Sequence, residues 1–222
     1  MNFRNHAYEL HYRHHPQVLI IVEPRIVEER AQAVINTLSY THSWCVELIG
    51  FFGGIWLLWT ESPSFQVDIL TYNEYSIHTL VKVSSPSLSF LLTAVYASFN
   101  FNKCKIFWDY LQNLANVVSL PWVLLGDLND MISDNEKMGG LPLNRNRISA
   151  FRNCMDKCGL MDLGFQGPRF TWTNKSPVWQ CNIKERLDRG LGNAKWKILF
   201  PAAEVHHLPR VKSDHCPYFA YN

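Results

Sequence analysis

The feature that most constrains this chain is a succession of short apolar runs closed by turn residues. "VLIIVE" (18–23), "GGIWLLWT" (53–60), "FQVDILT" (65–71), "SIHTLVKV" (76–83), "SFLLTAVYA" (89–97) and "WVLLGD" (122–127) all fit this description. They are rich in Val, Ile, Phe and Trp and flanked by Gly, Pro and Ser, which predicts strands. "ESPS" (61–64) is the turn between two of them. None approaches the roughly 20 apolar residues of a membrane-spanning helix.

Helical periodicity is present in three places. In 102–118, Ile106, Phe107, Tyr110, Leu111, Leu114 and Val117 make one apolar face. In 146–159, Ile148, Phe151, Met155 and Cys158 do the same, with Gly159 as C-cap. Residues 27–39 form a shorter helix with Val34, Ile35 and Leu38 inward, and 5–16 form a fourth, stopped by Pro16. Strands outnumber helices, and helices fall between some of them. The expected class is therefore mixed α/β (α+β), with strands in two sheets and helices outside. There is no repeat, low-complexity tract or linker, so one domain over 1–222 is the simplest organisation.

With 222 residues, 47% of them hydrophobic, the chain can bury a real core. A net charge of +2 is compatible with a nucleic-acid partner without demanding one. The start has no apolar signal region, and the six Cys form no C-x-x-C pair. They read as reduced thiols of a soluble protein of the nucleus or cytoplasm, not a secreted one. The His pairs in "RHHP" and "VHHLP" lack the His-Glu-x-x-His spacing of zinc enzymes.

Several strands end in polar residues that a core does not need. Glu23, Tyr96 and Asp127 close three of them, with Asn129 just beyond the third. Asp188 follows between Arg186 and Arg189, then Ser213, Asp214 and His215 in a row. Residues i and i+2 on a strand face the same way, so Asp127 and Asn129 either share a cleft at a sheet rim or form a simple turn. Gly126 leaves room for close backbone approach. Arg186, Arg189 and Lys184 read either as a solvated charged face or as phosphate contacts, and Trp172 either as core or as part of that surface.

The ordered set "VEPRI", "GGIWLLW", "LLTAVYAS", "WVLLGDLND", "EKMGG", "FTWTN", "IKERLDRGL" and "VKSDHCP" runs from Val22 to Pro217. It resembles the endonuclease/exonuclease/phosphatase superfamily, and more narrowly the endonuclease domain of plant LINE-type (non-LTR) retrotransposons. The resemblance implies a four-layered α/β sandwich of two packed sheets flanked by helices, with the active site at one rim. It implies a Mg²⁺-dependent (or Mn²⁺-dependent) phosphodiesterase that nicks DNA, monomeric and not bound to membranes. Glu23 and Asp214 would hold the metal. Asp127 and Asn129 would position the attacking water and the phosphate, Tyr96 would contact the phosphate, and Asp188 would orient His215. Thr171, Arg186, Arg189 and Ser213 would meet the substrate.

The chemistry suits these residue types. A divalent ion offsets charge on phosphate oxygens and needs only one or two protein carboxylates. A His held by Asp188 can serve as general base or phosphate contact.

The chain departs from the family at its start, where a strand ending in an Asn motif of the type "WNCRG" is expected. Neither Asn2 nor Asn5 takes that role, and the chain reads as N-terminally truncated, with no reverse transcriptase after Asn222. Leu128 stands where Phe is usual, and Phe99 where Pro is usual. Two alternatives follow: a catalytically inactive retroelement remnant, or a phosphoesterase of the same fold with a non-DNA substrate.

Overall fold

The computed structural model describes residues 3–24, 26, 28–49, 52–211 and 213–221. Asn2, Arg25 of "VEPRI", Val27 at the head of an expected helix, and Lys212 of "VKSDHCP" lie outside them. The chain divides into two compact units, Met1–Tyr96 and Ala97–Asn222.

In the first unit, α1 (Phe3–His14) leads to β1 (Val18–Val22), α2 (Glu28–Ile35), β2 (His42–Ile49) and β3 (Phe52–Trp59). β3 is the middle strand of an antiparallel sheet ordered β1-β3-β2. Alternation along β3 sorts its side chains to opposite faces. Trp56 and Leu58 join Ala7, Ile21, Ala31, Ile35 and Leu38 in the core beneath α1 and α2. Ile55 and Leu57, on the other face, are also fully buried. β4 (Phe65–Asn73), β5 (Ser76–Ser84) and β6 (Ser87–Tyr96) form an antiparallel meander, and β3 packs on β5 and β6. The unit is thus layered as helices, sheet, sheet.

All six expected strands form. β2 is an additional one. Its "HSWCVELI" mixes polar and apolar residues on a strand paired on one side only, so no continuous apolar run marks it.

The second unit contains α3 (Phe101–Ala115), β7 (Trp122–Asp127), β8 (Lys137–Met138), α4 (Arg145–Cys158), β9 (Leu160–Asp162), β10 (Trp172–Thr173), β11 (Lys184–Glu185), β12 (Asp188–Asn193), α5 (Ala194–Leu199), β13 (Glu204–His207) and β14 (Tyr218–Tyr221). β12 pairs antiparallel with β7 on one side and β9 on the other. β11 links β10 and β8, and β13 pairs with β14. Each helix starts on an Asn whose side chain accepts from the first-turn amides: Asn100, Asn144 and Asn193. Gly159 ends α4 in the left-handed conformation, φ 61°, as expected of a C-cap.

α4 buries Ile148, Phe151, Met155 and Cys158 as its periodicity predicts. α3 follows its predicted face in part: Phe107 and Leu111 are buried and Tyr110 and Leu114 half-buried, but Cys104 and Trp108 join the buried stripe while Ile106 and Val117 are 70% and 77% exposed. The buried stripe has perfect i, i+3, i+4, i+7 spacing but uses Cys and Trp. Stacking of Trp108 on Phe151 of α4, centroids 4.9 Å apart, fixes this rotation. Among the described residues no helix is long and apolar enough to cross a membrane.

Candidate active site

β7 ends at Asp127, and its register with β12 sets Asp188 directly opposite. His215 completes the group: its Nδ1 lies 2.8 Å from Asp188 Oδ2, and its Nε2 lies 3.9 Å from Asp127 Oδ2. Both carboxylates are buried, and the imidazole is the partly open member.

A single buried hydroxyl builds much of this arrangement. Thr171 Oγ1 accepts from the amides of Leu187 and Asp188, each at 3.0 Å. Its carbonyl accepts from Cys216 N, and the neighbouring Thr173 N donates to the Asp214 carbonyl. Thr171 therefore joins the start of β12 to the segment carrying His215. Thr171, expected at the substrate, is fully buried with its hydroxyl engaged by the protein.

Electrostatics set the protonation of the site. Burial pulls the His215 imidazole down, but Asp188, Asp127 and Asp214 outweigh it and push its pKa up to about 9. His215 is thus an imidazolium at neutral pH, hydrogen-bonded through Nδ1 to Asp188.

Of the two readings of Asp127 and Asn129, side by side in a cleft or joined in a turn, the backbone takes the turn. The strand stops at Asp127, and Asn129 is left-handed, φ 48°. The two residues are joined as a turn. Asn129 N donates to Asp127 Oδ1 at 2.9 Å, while Asn129 Nδ2 donates to Asp127 Oδ2 at 3.1 Å and to the Ala97 carbonyl at 2.8 Å. The turn and the shared site are one object, in which Asn129 shapes Asp127 and spends both its amide hydrogens within the protein. Gly126, φ 149°, precedes it in a conformation that L side chains rarely adopt.

Arg186 and Arg189, expected either on a solvated face or at the substrate, are both buried, Arg189 at 0% exposure. Its Nη1 donates to Glu136 and Asp162, and its Nη2 to Glu136 and the carbonyls of Asp130 and Arg186. Arg186 bonds the same two carboxylates and lies over the Phe165 ring at 4.5 Å. Two cations and two anions balance in charge. Glu136 and Asp162 were missed by sequence reasoning, although Glu136 heads the "EKMGG" motif. That motif carried resemblance but no assigned chemistry.

Ser213 is exposed, and its Oγ accepts from His215 N at 3.1 Å, a local turn contact. Trp172 is half-buried, bridged by backbone to His215. Glu23 and Tyr96 belong to the first unit. Glu23 follows β1 at φ 49°, with its amide donating to the Gly54 carbonyl. Tyr96 closes β6, and its amide donates to the Tyr75 carbonyl.

Among the described residues, Asp127, Asp188 and His215 bring potential ligand atoms within 4.8 Å of one another, and a cation there would meet the two carboxylates, since a protonated imidazole has no lone pair to give. This set differs from the expected Glu23 and Asp214. Its two buried carboxylates fit a hard divalent ion, which prefers oxygen.

No family model matches this sequence, and no curated protein matches it. Solved structures do. A 3′-5′ exonuclease (NExo) from Neisseria meningitidis superposes with TM-score 0.70 at 16% identity, over 98% of this chain and 93% of that one. A 3′ phosphatase NExo from Neisseria bound to a product DNA hairpin gives 0.70 at 15% identity, over 98% and 93%. The endonuclease domain of TRAS1, a telomere-specific non-LTR retrotransposon, gives 0.65 at 12% identity, over 98% and 92%. At these identities the likeness is one of fold, and it closes the structural description: the chain has the deoxyribonuclease-like endonuclease/exonuclease/phosphatase fold, a mixed α/β arrangement of packed sheets and helices.

Proposed function

We propose that the protein is a metal-dependent phosphodiesterase that nicks DNA. The observation that carries this is the Asp188–His215–Asp127 constellation, an imidazole hydrogen-bonded to one buried carboxylate at 2.8 Å and 3.9 Å from a second. In this reading the imidazolium donates to a phosphate oxygen, which limits charge build-up as the phosphodiester is attacked. Asp188 fixes the ring through Nδ1, leaving Nε2 for that contact. Asp127, steadied by Asn129, orients the attacking water and takes its proton. The new P–O bond forms from the water oxygen as the bond to the leaving sugar oxygen breaks. A divalent ion such as Mg²⁺ or Mn²⁺, held by Asp127 and Asp188, would supply positive charge to the phosphate.

DNA is the proposed partner because a same-fold neighbour is bound to a DNA hairpin. Within this class we read the chain as a plant non-LTR retroelement endonuclease, on the motif run "FTWTN" to "IKERLDRGL". Glu23, Asp214 and Tyr96 enter through that sequence resemblance alone, the first two as further ligands of the ion and the third on the phosphate.

The test is nicking of supercoiled plasmid with Mg²⁺ or with EDTA. Asp127→Ala and His215→Ala should each lower the rate by about 10²- to 10⁴-fold. Cleavage that survives EDTA, or an unchanged rate in His215→Ala, would sink the proposal.

A further inference from the structure

Arg147 ties together two segments that meet at the Asp127–Asn129 turn. It sits in the first turn of α4, where Asn144 caps its backbone amide. Arg147 Nε donates to Asp130 Oδ1, Nη2 to the Asn129 carbonyl at 2.6 Å, and Nη1 to the Phe99 carbonyl at 2.9 Å. Asp130 is 1% exposed, so its carboxylate depends on this partner. The same segments are linked again on the side of the site. Ala97 N donates to the Asp127 carbonyl, and Asn129 Nδ2 donates to the Ala97 carbonyl.

Two features make the guanidinium more than a surface contact. Asn129 is left-handed, a conformation that Asn adopts more readily than most residues, and its amide and carbonyl are both held by side chains. The motif "GDLND" contains no donor of its own for the Asn129 carbonyl; that donor arrives from α4, 18 residues downstream. A planar fork can satisfy two carbonyls and a carboxylate at once, whereas a lysine ammonium is a point donor on a flexible stem.

We propose that Arg147 is a positioning residue for the candidate site, acting through Asn129. Its guanidinium holds the Asn129 carbonyl and the Asp130 carboxylate, so that Asn129 keeps both carboxylate oxygens of Asp127 in place. The kinetic arm of the test rests on the nuclease reading; the exchange arm does not.

The experiment compares wild type, Arg147→Lys, Arg147→Met, Asn129→Ala and the Arg147→Met/Asn129→Ala double variant. On a short DNA duplex, both Arg147 variants should lower kcat about 10- to 100-fold, the usual cost of losing an outer-shell partner. KM should stay within about twofold, because no ground-state contact is lost. In the Asn129→Ala background, Arg147→Met should cost less than about threefold more, since the two act as one unit. Full additivity, a rise in KM alone, or normal kcat in Arg147→Lys would overturn the proposal. Amide exchange is the second readout. The Asn129 amide should exchange at least about tenfold faster in the Arg147 variants, while the Leu191 amide in β12 keeps its protection. Equal acceleration at both positions would show only global loosening and would also overturn it. If the wild type cleaves no DNA, the nuclease reading fails, and the exchange result alone decides the role of Arg147.

Discussion

Asp188 and Arg189 are adjacent on β12, yet they serve opposite electrostatic environments. Arg189 joins Arg186, Glu136 and Asp162, two cations against two anions, and is sealed from water. Asp188 joins Asp127, Asp214 and His215, where one imidazole faces several carboxylates and part of the ring stays open. Strand alternation sends neighbouring side chains to opposite faces, so a single strand can carry both. The balanced network is neutral and shut off from water, although the Nε–H groups of Arg186 and Arg189 find no partner in it. The unbalanced one retains negative charge and a proton held well above its ordinary pKa. Against the pull of burial, ion pairing shifts titration on both faces, lowering Asp162 and raising Arg189 as well as His215, but only His215 lies next to an opening, which makes its side the candidate functional one.

The largest effect should come from breaking the balanced side. Arg189→Met would leave Glu136 and Asp162 sharing Arg186 alone and should cost about 3–5 kcal/mol of stability in denaturant unfolding. A loss below about 1 kcal/mol would erase the distinction between the two faces.

The next effect reads the unbalanced side through pH. The pKa of His215 is raised from 6.5 to about 9, so the folded state binds this proton more tightly than the unfolded chain. Its stabilisation is fully present below pH 6.5 and is lost as pH rises through 9, amounting to about 3 kcal/mol at about 1.4 kcal/mol per unit. Unfolding curves between pH 6 and 10 should show this decline. Asp188→Asn should flatten it, because Asp188 is the foremost group raising the pKa. An unchanged slope in that variant would mean that another group titrates.

The smallest effect belongs to the rim. Ser213→Ala removes one acceptor from the amide of His215 in an exposed turn and should cost only about 0.5 kcal/mol, measured by the same unfolding curves. A larger loss would place Ser213 among the parts that hold His215, alongside Thr171.

Local pattern carried a good part of this molecule. The strands ending at Val22, Tyr96 and Asp127 were legible because a buried strand must be a short apolar run. The α4 face and its Gly159 cap were legible for the same local reason. The order of polar residues at strand ends located Asp127, Asp188 and His215, which the fold brings together. Local pattern failed where the decision lay with a partner distant in sequence. The face of α3 was set by Phe151, the left-handed turn at Asn129 is met from behind by Arg147, and Thr171 was claimed by the amides before β12.

Sequence by itself determined the six apolar strands, the first four helices and the polar residues that close several strands, because propensity and periodicity act over a few residues. Tertiary structure alone decided which charges neutralise one another. Arg186 and Arg189 stand on either side of Leu187 and Asp188 in sequence, and nothing local distinguishes a phosphate contact from a buried ion pair. That choice was made by Glu136 and Asp162, some 50 and 25 residues away. A charge leaves water only where an opposite charge and hydrogen-bond partners already wait, and only the folded chain brings them there.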